Sequence, residues 1–94
     1  MPKAAIIILA AGDSPESLGR VVNAFMVALE YKEAGDEVRV VFDGAGVQAA
    51  AAFADADHDY HDLFKKIEDS IQGACHYHSG AYEVEDDLKQ KNIP

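Results

Sequence analysis

The stretch KAAIIILAAGDSPESLGRVVNAFMVALEYKEAGDEVRVVF, Lys3 to Phe42, decides the fold. Its first nine residues, Lys3 to Ala11, form a continuous β-branched and small apolar run. Both faces of such a strand are apolar, which is how a central parallel strand reads. Gly12 and Asp13 break the run. Ser14 is suited to cap a helix, Pro15 to occupy its first turn, and Glu16 to face the positive end of its dipole. Leu18, Val22, Phe25, Met26 and Leu29 then recur at helical spacing and form one apolar stripe. Gly35 ends this helix, about 19 residues long, in a left-handed conformation. EVRVVF, Glu37 to Phe42, is a second strand. The whole stretch is therefore one βαβ unit, whose crossover is expected to be right-handed.

Downstream, the pattern continues with weaker signals. Asp43 to Gly46 reads as a turn at the carboxyl end of the second strand. VQAAAAFA, from Val47, is a short helix-prone segment. The acidic DADHDYHD leads into a helix running through Leu63, Phe64, Ile67 and Ile71. Gly73 to Cys75 is a short third strand or the approach to one. Gly80 to Lys91 is expected to be helical, with Ala81, Val84 and Leu88 as its apolar stripe, and Asn92-Ile93-Pro94 points towards a further strand. Residues 1–94 thus read as a single domain. The alternation implies an α/β fold, a small parallel sheet flanked by helices on both faces. In such sheets the functional crevice lies outside the carboxyl ends of the strands. Three loops gather there: AGDSPES, FDGAG and ACHYHSG.

Composition excludes several function classes. The chain has 94 residues and a formal charge of −9, with no clustered Lys and Arg. The counterion term that drives binding to nucleic acid or an anionic membrane is therefore missing, and neither partner is expected. No run approaches the ~18 apolar residues of a membrane span. The start MPK lacks the layout of a secretory signal, and one cysteine cannot make an internal disulfide, so a cytoplasmic location is expected. A domain this size buries only about 60–65% of its unfolded surface, and oligomerisation is a common remedy.

Chemistry concentrates at Cys75, the only cysteine. It sits at a predicted strand-to-helix turn, where a helix starting near Ser79 or Gly80 would favour a thiolate. His78 is placed to turn back towards the sulfur, whereas alternation puts His76 on the opposite face, so Cys75 and His78 are the candidate catalytic pair. A second possibility is a zinc site built from Cys75, His78, His58 and His61, although His58 and His61 lie in a polar segment and nothing local brings the two pairs together. The DADHDY segment is not a calcium loop, because Tyr60 and Lys66 occupy the positions that need glycine and glutamate. Glycine turns before helices let anions approach backbone amides, which makes Gly12, Asp13, Ser14, Asp43, Gly44, Gly46, Ser79 and Gly80 the candidate ligand-binding loop positions. The full phosphate-loop signatures are absent, and a tight turn or a helix cap is the simpler job for several of these residues. No cofactor or resident metal is expected.

Taken together, KAAIIILAAGDSPESLGRVVNAFMVALEYKEAGDEVRVVFDGAGV and IQGACHYHSGAYEVEDDLKQKNIP resemble the DsrE/DsrF-like sulfur-relay family over nearly the whole chain. The resemblance implies a flavodoxin-like three-layer α/β domain that assembles into trimers or hexamers. It also implies a persulfide carried on Cys75, exchanged with sulfur donor and acceptor proteins. Two departures matter. His78 stands where relatives often have a second cysteine, which excludes a dithiol mechanism within one chain. Relatives also continue past the Ile-Pro with a helix and a strand, so either this chain is a fragment whose sheet lacks that C-terminal strand, or the sheet edge is completed otherwise. The competing reading is a non-catalytic oligomeric binding module, with Phe25 and Phe53 packing subunits together.

Overall fold

The computed structural model describes residues 3–91 and Ile93. In chain order the elements are β1 (Lys3–Ile8), α1 (Pro15–Glu33), β2 (Glu37–Phe42), α2 (Gly46–Phe53), α3 (His61–Ile67), a 3₁₀ turn at Glu68–Ser70, β3 (Ile71–Ala74), α4 (His76–Ala81) and α5 (Glu85–Gln90). The strands form one parallel sheet in the order β1-β2-β3. The fold is thus α/β, and β2, not β1, is the central strand. Of the expected onward strand at residues 92–94, Asn92 and Pro94 lie outside the described residues.

The first βαβ unit follows its local chemistry closely. Ser14 is the N-cap of α1, its hydroxyl accepting from the Ser17 N–H, and Pro15 opens the helix. Gly35 adopts φ +78° just after it. The Asp36 N–H then reaches back to the Tyr31 carbonyl, which closes the helix end as a left-handed C′ residue permits. The inward face of α1 is Val21, Phe25 and Ala28, with Leu18, Val22 and Leu29 half-buried beside them. Met26, read as part of the stripe, is 44% exposed.

Strands laid down in the order 1-2-3 move in one direction across the sheet. Right-handed crossovers then carry every connecting helix to the same face. Phe42 of β2, Phe25 of α1, Phe53 of α2 and Phe64 of α3 accordingly share one core, all fully buried. On that face lie Ala4, Ile6 and Ile8 of β1, paired in register with Val38, Val40 and Phe42. The opposite face carries Lys3, Ala5, Glu37 and Arg39, all exposed, and Ile7 at 60% exposure. The expected covering of this second face is not seen among the described residues. Phe25 and Phe53, expected in one reading to pack subunits, are instead interior residues of the single chain.

The second half departs from its sequence pattern in two places. Ile71, expected in the α3 helix, starts β3, because the 3₁₀ turn at Glu68–Ser70 ends the helix earlier. The helix expected over Gly80–Lys91 is two short helices, with α4 starting at His76 and Glu83 at φ +60° between them. The Val84 N–H donates to the Ser79 carbonyl and the Glu83 N–H to the Gly80 carbonyl, the hydrogen bonds of a helix C-terminus closed by a left-handed residue. The expected apolar stripe survives as Leu88, buried, and Val84, half-buried, while Ala81 is exposed. Lys91 clips α5 to α2 by donating to the Ala51 carbonyl at 2.7 Å.

At Gly46 a Cβ would stand 1.8 Å from the Ile8 carbonyl oxygen, whereas at Gly19, within α1, it would meet nothing within 4 Å. Gly46→Ala should therefore lower the urea midpoint, by roughly 1–3 kcal/mol of overpacking. Gly19→Ala should raise it, by roughly 0.5–1 kcal/mol of helix propensity.

Candidate functional site

Two residues that each follow a strand found the site. Asp43 follows β2, and its N–H continues the sheet by donating to the Ile8 carbonyl at 3.0 Å. Cys75 follows β3, and its N–H donates to the Phe42 carbonyl at 2.8 Å. Because β2 and β3 are parallel neighbours with Phe42 opposite Ala74, these two residues sit side by side at the carboxyl edge of the sheet. The register reaches that match through an irregularity. Val40 pairs with Ile71 and Val41 with Gly73, so Gln72 is an extra residue in β3.

His78 joins them from the first turn of α4. Residues three apart on a helix share a face, which brings its ring back over Cys75. The imidazole Nδ1 hydrogen-bonds the Asp43 Oδ1 at 2.9 Å. The Asp43 carboxylate, the Cys75 Sγ and a His78 ring nitrogen all lie within 4.8 Å of one another. Their side chains are half-exposed, Asp43 at 41% and His78 at 36%. Tyr77 and Tyr82 flank the imidazole, with ring centroids 5.1 and 6.3 Å away.

The Asp43 carboxyl is held below its ordinary value of 3.8, first by the Gly44 N–H, next by the Cys75 thiol, and then by the hydrogen bond and charge of His78. Partial burial opposes these effects without reversing them. Asp43 is therefore a carboxylate at neutral pH, and it accepts from the His78 imidazole with the Cys75 sulfur close by.

The other expected site residues are occupied locally. The Gly12 N–H donates to the Ser17 hydroxyl at 2.7 Å, Ser14 caps α1, and Asp13 is exposed, so the first loop serves the helix start. In the second loop, Gly44 donates to the Asp43 side chain and Gly46 to the Asp43 carbonyl. These amides are directed inward to the turn. Ser79 is buried, and both its N–H and its hydroxyl donate to the Cys75 carbonyl, at 2.9 and 2.7 Å. It cannot also offer its amide to the sulfur, because α4 starts at His76 and residue 79 is already inside it. Gly80 lies exposed in the same helix.

The four-ligand zinc arrangement does not form. His58 stacks on Phe53 at 4.1 Å and accepts from the Tyr60 N–H, and the His61 ring bonds the Phe53 carbonyl. Among the described residues, Asp43, Cys75 and His78 are the only group of three potential ligands brought together. Asp43 is a candidate ligand-binding loop position in the sequence, but nothing local marks it as the partner of Cys75 and His78. Its position as the first residue after a strand adjacent to the one preceding Cys75 was the signal that pairs them.

Fold and site together define a small parallel α/β protein with its single thiol beside a hydrogen-bonded carboxylate and imidazole at the sheet's carboxyl edge. No family model, curated protein or solved structure matches the chain. No helix among the described residues is long and apolar enough to cross a membrane.

A carboxyl whose folded value is depressed stabilises the fold above its unfolded value and loses that contribution as pH falls through the folded one. Asp43→Asn should therefore lower the melting temperature near neutral pH, and its curve should converge on the wild type as the pH drops below 3.8. Thermal melts across an acid pH series would check the convergence.

Proposed function

We propose that the protein is a sulfur carrier that holds sulfane sulfur as a persulfide on Cys75. The observation that carries this reading is the half-exposed thiol within 4.8 Å of both an imidazole and a carboxylate. A thiolate is the attacking species in sulfur exchange, and an exposed one needs only suitable pKa and access. The resemblance to sulfur-relay proteins adds a donor persulfide and an acceptor thiol as partners.

The exchange balances without an external oxidant. The Cys75 thiol first loses its proton to the His78 imidazole, which Asp43 holds in place. The thiolate then attacks the outer sulfur of a donor persulfide. A new sulfur–sulfur bond forms on Cys75 as the donor's own breaks, and the donor departs as its thiolate. In the second half, an acceptor thiolate attacks the outer sulfur on Cys75, takes it, and regenerates the Cys75 thiolate. His78 stabilises that anion as an imidazolium, and Asp43 acts as a positioning residue through its 2.9 Å bond to the ring.

The homo-oligomer implied by the resemblance, a trimer or hexamer, is supported by a different feature. Ile7 and Leu9 are exposed at 60% and 62% at β1, an edge strand among the described residues. A second copy covering them would remove apolar surface from water.

Incubation with a low-molecular-weight persulfide should add one sulfur by intact mass, and the gain should vanish in Cys75→Ala. His78→Ala should slow loading by about tenfold or more, because it removes the base that takes the thiol proton. Absence of any gain in the wild-type chain would sink the reading. Light scattering should find an assembly larger than one chain that shifts towards monomer in the double variant Ile7→Glu, Leu9→Glu.

A further inference from the structure

We propose that Asp43, Cys75 and His78 form a three-ligand site for a borderline-soft divalent cation of the zinc type, with a fourth position open to water or a small anion. The donor set is one thiolate, one imidazole and one carboxylate, the combination that suits zinc rather than calcium or magnesium. Zinc–ligand bonds of about 2.0–2.3 Å place tetrahedral donors roughly 3.5 Å apart. The three donor atoms already lie within 4.8 Å, and Asp43 Oδ1 and His78 Nδ1 are 2.9 Å apart. Side-chain rotation of about an ångström, at half-exposed residues, closes the rest.

The backbone carrying these donors is held. Asp43 and Cys75 are each tied to the neighbouring strand, and α4 is anchored on Cys75 by both Ser79 bonds. The site therefore needs no refolding to receive the ion. On binding, the Cys75 S–H bond breaks and its proton goes to solvent. If the ring coordinates through Nδ1, the imidazole proton moves to Nε2, so the hydrogen now shared with Asp43 is replaced by the metal. One carboxylate, one thiolate and a neutral imidazole leave the bound cation electrically balanced, and the chain's formal charge of −9 favours its approach. Three protein ligands with partial exposure leave a coordination position free, as in zinc sites that bind an exchangeable water.

The ion and sulfane sulfur compete for the same thiolate, but the two readings stand separately. The test uses the full, tag-free chain, reduced and freed of metal with a chelator, then titrated with Zn²⁺ against a chromophoric competitor and with Co²⁺ as a spectroscopic probe. One equivalent should bind, and Co²⁺ should give a thiolate-to-metal charge-transfer band. Affinity should fall by about 100-fold in Cys75→Ser and by about tenfold or more in Asp43→Asn and His78→Ala, with His58→Ala and His61→Ala unchanged. Less than about one-tenth equivalent of bound zinc in the wild type, or a cobalt complex with no sulfur charge-transfer band, overturns the proposal. The band is read on the wild-type chain, so it decides even if a variant fails to fold. Persulfide loading measured on the same metal-free sample shows which reading fails: loading without zinc binding removes only the metal site, and zinc binding without loading removes only the relay.

Discussion

Phe25 is the contact on which the rest of the structure depends. Its ring meets Phe53 at 5.1 Å, Phe64 at 6.0 Å and Phe42 at 6.1 Å, each edge to face. Edge-to-face pairs place the positive rim of one ring against the negative face of another, contributing roughly 0.5–1.5 kcal/mol each beyond the area they bury. Through that one side chain α1 is joined to the central strand and to both helices that follow it. The sheet has three short strands among the described residues, and this cluster is what holds its helices in place. The aromatic cluster also explains why all of them lie on one side. A single four-ring core has one location, and strands ordered 1-2-3 with right-handed connections deliver α1, α2 and α3 to it.

The site inherits its geometry from that arrangement. Phe42 is the last residue of β2 and is anchored in the core, so Asp43 begins where the core ends. The same Phe42 carbonyl accepts the Cys75 amide, which fixes the thiol one strand over. Reactive groups at this edge are half-exposed, Asp43 and Cys75 each lying just past the end of a strand. This is the physical content of the rule that parallel sheets bind ligands at their carboxyl ends. Here it yields a carboxylate bonded to the imidazole, with the thiol close to both. His78 is thereby tied to Asp43 rather than directly to the sulfur, and this tie converts a Cys-x-x-His spacing into a three-membered cluster.

How much was legible beforehand varied along the chain. The first βαβ unit was readable almost residue by residue, since Ser14, Pro15 and Gly35 carry strong local preferences and the two strands are bounded by breakers. The later elements were less so. Ile71 fits the helical spacing of Leu63, Phe64 and Ile67, and only the pull of pairing with Val40 makes it a strand residue. Glu83 has no side-chain preference for a left-handed backbone, so the break between α4 and α5 left no local mark. Cys75 and His78 were identifiable as a pair, because three residues at a strand-to-helix turn is a local relation. Asp43 was not identifiable as their partner, because it stands 32 residues before Cys75 and meets it only through the register of two strands.

The amino-acid sequence by itself determined the α/β class, the first crossover, the order of the strands' loops and the identity of the one thiol. These rest on periodicity, capping and turn chemistry, which act over a few residues. Tertiary structure alone decided that β2 is central, that no described residue covers the second face of β1 and β2, and that Asp43, not His58 or His61, completes the group around Cys75. Those outcomes depend on which strands pair and in what register, a choice made by the packing of distant segments around Phe25 and by no property of any one segment.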